Sequence, residues 1–276
     1  MNSNRYIFSI LKSLVCRDGG AWSNATDSRS AGLGLREFKL REQISLPAYL
    51  HVWFMVIKTA KKKASKKSRP RIRESKIFEI PNYAQTEEFT SAAASIMMAL
   101  KYLNKNLKLK KETEFDIWKE AVSGSVWHGS RYGIAYALAK RGAKPHIVSN
   151  VKDEGYERKI AVYEGVNLDT LTASFNEIKD KAKALNVKES YGVVTINTIK
   201  KQINSGRIPI VLVNASVLNP YLESSPHWVV IKGYDRDTFH INDPYSDSTI
   251  TMEPQVFKSA LGFENEFHMI TVSTRK

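Results

Sequence analysis

The longest regular pattern in the chain begins at Ser91. Apolar residues at Ile96, Met97, Leu100 and Leu103 recur at helical spacing, which predicts a helix over Ser91–Leu103. Further helices are expected over Phe115–Val122 with Thr113 as N-cap, over Tyr132–Lys140 ended by Gly142, over Leu168–Leu185 and over Thr195–Ser205. Strands then dominate. "KPHIVS", "IPIVLVNAS", "HWVVIKGYD", "TFHINDP", "STITM" and "FHMITVS" are rich in β-branched and aromatic residues, and a short helix "EPQVFKSAL" opens on a proline. Ile77–Ile80 is a further short strand, and "GYDRDT" is a hairpin turn. Helices lead and strands follow, so the expected class is α+β, with N-terminal helices packed on a C-terminal antiparallel sheet.

Charge divides the chain. Between Lys58 and Lys76 ten residues are Lys or Arg, opposed only by Glu74. Such a run repels itself and has no apolar period to fold around, so it is read as a linker or an irregular helix extension. A basic arm for nucleic acid or acidic membrane is the competing reading, but no aromatic residues are interleaved to stack on bases. Residues 1–57 form a short N-terminal region whose best strand is Leu50–Ile57. Residues 58–76 are the linker, and 77–276 the main domain. The formal charge of +14 speaks to solubility and to attraction for polyanions, not to fold. The single Cys16 excludes an internal disulfide and a Cys-rich zinc site. With no membrane-length apolar run and no cleavage-site pattern after "RYIFSILKSLVC", a cytoplasmic setting is expected.

Candidate chemistry lies at three places. Ser91 starts its helix, where the dipole favours negative charge, and Gln85 stands six residues earlier, spaced to offer an amide to an oxyanion. His227 starts one strand and Asp243 ends the next. If the two pair through the turn at Asp235–Asp237, imidazole and carboxylate meet at one sheet edge, the base-and-orienter half of a nucleophilic triad. Alone, each has a bland alternative: a strand-capping histidine and an Asp-Pro turn. His128 is a loop histidine that could line a cleft or simply be solvated. Trp228 and the Met97–Met98 pair read as core. His146, His240 and His268 show no metal-ligand spacing with one another, and "GSVWHGSRYG" lacks the lysine-hydroxyl pair of a phosphate loop, so no cofactor is expected.

Taken together, "AQTEEFTSAAASIMMALKYL" and "SPHWVVIKGYDRDTFHINDP" resemble the nucleophile segment and the His and Asn-Asp-Pro strands of the bacteriocin-processing, double-glycine-type cysteine peptidases, in the papain-like superfamily. "FDIWKEAVSGSVWHGSRYGIAYALAKRGAKPHIV" is similar to the middle of a subgroup often found behind an acetyltransferase domain, and residues 1–57 faintly resemble the end of such a domain. The resemblance implies a papain-like fold and a peptide or protein segment as ligand. It implies Gln85, Ser91, His227 and Asp243 as the site. The family's cysteine is Ser91 here, and its Gly-Pro is Ala92–Ala93. A serine hydroxyl cannot hold a resting negative charge at neutral pH as a thiolate can, so a degenerate peptidase that binds peptides without cutting them is expected. Two alternatives stay open: a hydrolase that uses Ser91, and a basic interaction protein acting through residues 58–76.

Overall fold

The computed structural model describes residues 75–122, 126–236 and 238–273. The N-terminal region, Cys16 and the basic run as far as Glu74 lie outside the described residues. The described chain is α+β. Its strands are β1 (Lys76–Ile77), β2 (Pro145–Ser149), β3 (Lys188–Tyr191), β4 (Arg207–Asn214), β5 (Pro226–Asp235), β6 (Thr238–Asp243), β7 (Ser248–Met252) and β8 (His268–Ser273). Its helices are α1 (Ser91–Leu103), α2 (Lys111–Ala121), α3 (Arg131–Lys140), α4 (Tyr156–Tyr163), α5 (Leu168–Ala184), α6 (Ile196–Asn204), α7 (Ala215–Leu218) and α8 (Pro254–Ala260). The strands form one sheet in the order β3-β2-β8-β4-β5-β6-β7, with β1 added on β5. Helices α1, α2 and α3 precede most of the sheet, and α1 packs on β5.

The expected α1 is observed with the predicted bounds. It is apolar nearly all round, with Ser91 to Leu100 buried, because sheet and neighbouring helices enclose it. The β5–β6 hairpin also forms as expected, pairing Asp235 with Thr238 across the turn. Four expectations need correction. Helix α2 starts at Lys111 rather than being capped by Thr113; this places Glu112 and Glu114 in the first turn, near the positive end of the helix dipole. Lys76 is not linker but strand, opposite Tyr234 on β5. Strand β4 ends at Asn214, whose Oδ1 accepts from the Ser216 amide and turns the chain into α7. The sheet is not wholly antiparallel: β2 and β3 are parallel. Helices α4 and α5 lie between them in sequence and supply the long crossover that a parallel pair requires. Helix α4 and strand β3 carry no clear pattern in the sequence; all four β3 residues are exposed, so no apolar alternation marks it. Among the described residues, no helix is long and apolar enough to cross a membrane.

Strand β5 organises the sheet because it is longer than its partners. Along one side it pairs with β4 through Pro226–Val230 and then with β1 at Gly233–Tyr234. On the other, the register with β6 runs from Asp235 back to Val230. The first residues of β5 therefore extend past the register with β6, and α1 takes that place.

Helices α2 and α3 cross closely. A Cβ built on Gly133 would lie 2.1 Å from the backbone oxygen of Ala121. Gly133→Ala gains up to about 1 kcal/mol in helix propensity, but the clash is with backbone and cannot be relieved by rotating a side chain. We expect a net loss of roughly 1–3 kcal/mol in denaturant unfolding. Gly192→Ala, with open space around the new methyl group, should change stability by no more than about 0.5 kcal/mol.

A buried polar group lies at the start of α4. Glu157 is 1% exposed and neither carboxylate oxygen has a hydrogen-bond partner. Burial pushes its carboxyl up from 4.5 to about 8, against the opposing pull of the Arg131 guanidinium. The folded protein thus holds this proton more tightly than the unfolded chain. Its contribution to folding is fully present below about pH 4.5 and is lost as pH rises through about 8. Glu157→Gln, which cannot ionise, should raise Tm relative to the unsubstituted protein at pH 9 and leave it nearly unchanged at pH 5. Parallel melting curves across that range check it; an equal shift at both pH values would contradict the assignment.

Candidate functional site

Each expected site residue is placed by a different element. Ser91 is the first residue of α1 and is buried. His227 is the second residue of β5, and Asp243 the last of β6. Because β5 and β6 pair antiparallel from Val230–Asn242 to Asp235–Thr238, the beginning of one lies beside the end of the other. His227 Nε2 lies 2.7 Å from Asp243 Oδ1, and both side chains are buried. The same Asp243 oxygen accepts the Tyr245 amide at 3.0 Å, which fixes the carboxylate after the strand ends.

Ser91 sits next to this pair through the strand backbone. Its Oγ accepts the Trp228 amide at 3.4 Å, and one turn later Ser95 Oγ donates to the Trp228 carbonyl at 2.9 Å. Residues four apart share one helix face, so two hydroxyls replace a strand as partners for a single β5 residue. Among the described residues, no hydrogen bond joins Ser91 to His227. The start of α1 carries no acidic residue in its first turn and no side-chain cap; the Thr90 hydroxyl donates instead to the Glu87 carbonyl. The positive end of the helix dipole therefore faces the site uncompensated by side chains of that turn.

Gln85 is brought to the same region through its main chain, its amide donating to Pro244 O at 2.8 Å, one residue beyond Asp243. Its side chain is turned elsewhere. Nε2 donates to the carbonyls of Glu87 and Glu88 at 2.9 and 3.0 Å, while Oε1 is buried without a partner. Both amide hydrogens are thus engaged in their own turn.

Supporting residues escape a reading of the sequence. Glu114, fully buried on α2, accepts the Tyr83 hydroxyl at 2.9 Å and the Thr86 amide at 3.0 Å, holding the segment on either side of Gln85. Burial and this carboxylate raise the Tyr83 phenol well above its usual range. Asn242 donates to the carbonyls of Ile80 and Pro81 and accepts from the Thr249 hydroxyl, which ties the approach to Gln85 onto β6. Gly129 lies against α1: a Cβ there would stand 2.2 Å from that of Ala92. Its carbonyl accepts from both the Trp228 indole and the Tyr156 hydroxyl. The available signal for Ser95 is a small polar residue four positions after Ser91 in an apolar helix; for Glu114 there is none. His128, expected to line the cleft or be solvated, is partly buried, with Nδ1 unpartnered and its pKa lowered by burial. Trp228 and the Met97–Met98 pair are core, as expected. Beside the helix start, Phe89 packs against Trp118 and Trp127 with ring centroids 5.0 and 4.9 Å away, and Trp127 is 58% exposed.

Three solved structures share partial likeness. A C39-like peptidase from Bacillus anthracis is 16% identical, covering 74% of this chain and 99% of its own, with a TM-score of 0.41. The peptidase domain of Streptococcus ComA, a bifunctional ABC transporter involved in quorum sensing, is 13% identical over 70% of this chain and 98% of its own, with a TM-score of 0.38. A double glycine motif protease from an AMS/PCAT transporter, solved with its leader peptide, is 16% identical over 72% and 95%, with a TM-score of 0.35. Residues 80–261, which hold α1, the β5–β6 hairpin and all four expected site residues, match the Peptidase_C39 like family as a sequence, and the chain belongs to that family.

Proposed function

We propose that this domain binds a peptide segment at the start of α1, beside His227 and Asp243, and has lost the peptidase chemistry of its family. The carrying observation is the partnership of Ser91. Its hydroxyl accepts from the Trp228 amide and has no hydrogen bond to His227, while His227 and Asp243 keep a 2.7 Å contact. A thiol at this position can rest as a thiolate, stabilised by imidazolium and helix end. A serine must surrender its proton during attack, which requires a base in contact with it. The Gln85 amide, engaged with Glu87 and Glu88, offers no hydrogen to a developing oxyanion in this conformation. Membership in a peptidase-like family and the cluster of exposed Trp127 with partly buried Phe89 and Trp118 favour a peptide with an apolar side chain as ligand. A cytoplasmic setting belongs to the same reading.

Ser91→Cys tests what remains of the site. His227 stands one residue from the amide that contacts Ser91, so the introduced thiol should be acidified. Lowering a thiol from about 8.5 to about 6.5 raises its thiolate fraction at pH 6 by almost two orders of magnitude, offset by reduced nucleophilicity, for a net gain of about tenfold. Iodoacetamide should therefore label Ser91→Cys about ten times faster than Cys16 of the unsubstituted chain at pH 6, and His227→Ala in that background should remove the excess. Equal labelling rates would mean the site no longer holds the base beside the nucleophile position. Cleavage of peptides by the unsubstituted protein, lost on Ser91→Ala, would overturn the assignment of lost chemistry and make this a serine-dependent hydrolase.

A further inference from the structure

The end of the sheet opposite Ser91 carries a second concavity of different character. In the β2–β3 pair His146 lies opposite Lys188, and in the β2–β8 pair His146 lies opposite Thr271. Thr271 is opposite Pro209 on β4, so Arg207, two residues before Pro209, falls on the same face. Register alone therefore lines up Lys188, His146 and Arg207. Lys144 stands just before β2. These four surround a cleft of about 510 Å³ whose walls include Pro145 and Leu185, and among the described residues no carboxylate lines it. An adjoining cleft shares Lys144 and adds Lys105, again with no carboxylate among its lining residues.

Arg207 and His146 are held in place by neutral partners, and Lys144 and Lys188 are exposed. Half-buried Arg207 donates from Nε to the Thr271 hydroxyl at 2.8 Å, and from one terminal nitrogen to the carbonyls of Lys144 and Thr271 at 3.2 and 2.9 Å. All of these acceptors are neutral. The His146 ring is fixed by Ser190 Oγ at 2.7 Å. Among the described residues, Lys144, Lys188 and Arg207 make no salt bridge, whereas elsewhere Lys140 and Arg141 both pair with Glu120. Partial burial of a guanidinium without an anion is unfavourable. It lowers the Arg207 pKa, and Arg207 and Lys188 add to burial in lowering that of His146.

We propose that this cleft is a binding site for a small phosphate-bearing ligand, independent of the proposed peptide site. The other terminal nitrogen of Arg207, held in place by these bonds, keeps its hydrogens for a phosphoryl oxygen, two flexible ammonium groups add point charge, and the apolar walls accept an organic substituent. The concave shape and the immobilised Arg207 and His146 favour a compact anion over an extended polyanion surface.

Calorimetric titration of the full chain at 150 mM salt, with pyrophosphate as probe, tests this. We expect saturable binding at one site, weakened at least about tenfold by Arg207→Gln, as loss of a charge-assisted hydrogen bond implies. Lys144→Ala/Lys188→Ala removes only exposed side chains and should weaken binding similarly while leaving the melting curve unchanged; it keeps the test sharp if Arg207→Gln fails to fold. Displacement of pyrophosphate by a nucleoside diphosphate or by an inositol phosphate then identifies the organic source. Equal heats from sulfate at matched ionic strength would overturn the proposal, as would binding that survives both sets of substitutions, since the run of lysines at 58–74 would then be responsible. Binding to oligonucleotides or anionic vesicles without pyrophosphate binding would likewise replace it with a polyanion surface. The proposed peptide site contains none of the substituted residues, so labelling of Ser91→Cys stays unchanged whichever result is obtained.

Discussion

One strand residue, Trp228, carries the geometry of the site. Its N–H and C=O lie where β5 outruns its register with β6, and buried backbone groups must find partners. Helix α1 provides them through Ser91 and Ser95, one turn apart. The helix start is thereby fixed to the residue after His227. The indole of the same residue donates to Gly129, and its ring stacks at 6.4 Å on buried His268. Strand, helix, the loop before α3 and the first residue of β8 converge on one amino acid. A site assembled from segments more than a hundred residues apart needs such a common anchor, because each long-range contact alone would leave the others free to shift.

Around that anchor the surrounding shell is polar and closed. Glu114 reaches from α2 to the Gln85 segment, and Asn242 reaches to Ile80 and Pro81 from the strand that carries Asp243. Each acts through a charge-assisted or doubly made hydrogen bond in a buried setting, where such bonds are strongest and their loss most costly. This architecture is therefore costly to disturb.

Much of this was legible in the sequence, for identifiable reasons. Helix α1 is long and periodic, and the β5–β6 hairpin is two apolar runs around a polar turn; both signals are local. His227 and Asp243 follow from that hairpin by counting. Helix α4 and strand β3 were not legible because their stability comes from tertiary contacts: β3 is a fully exposed edge held by its parallel partner β2 and by the Tyr132 hydroxyl, which donates to Glu189. The side-chain direction of Gln85 was not legible either. Its spacing from Ser91 fits an oxyanion donor, but the competing carbonyls of Glu87 and Glu88 arise from a turn that spacing does not reveal. The row of Lys188, His146 and Arg207 is scattered over 62 sequence positions and exists only through sheet register.

The contact between Gly129 and Ala92 imposes an order on sequence change. The space between the loop and α1 admits one methyl group, and the helix holds it. Glycine at the helix position would leave that space vacant, so either side could then acquire a side chain first. Once alanine stands at 92, alanine at 129 collides with it, and position 129 can change only after 92 reverts. The two sites are thus epistatic in sign: the same substitution at 129 is tolerated or harmful according to what the helix already carries, and a lineage that has filled the helix side has closed the other route behind it.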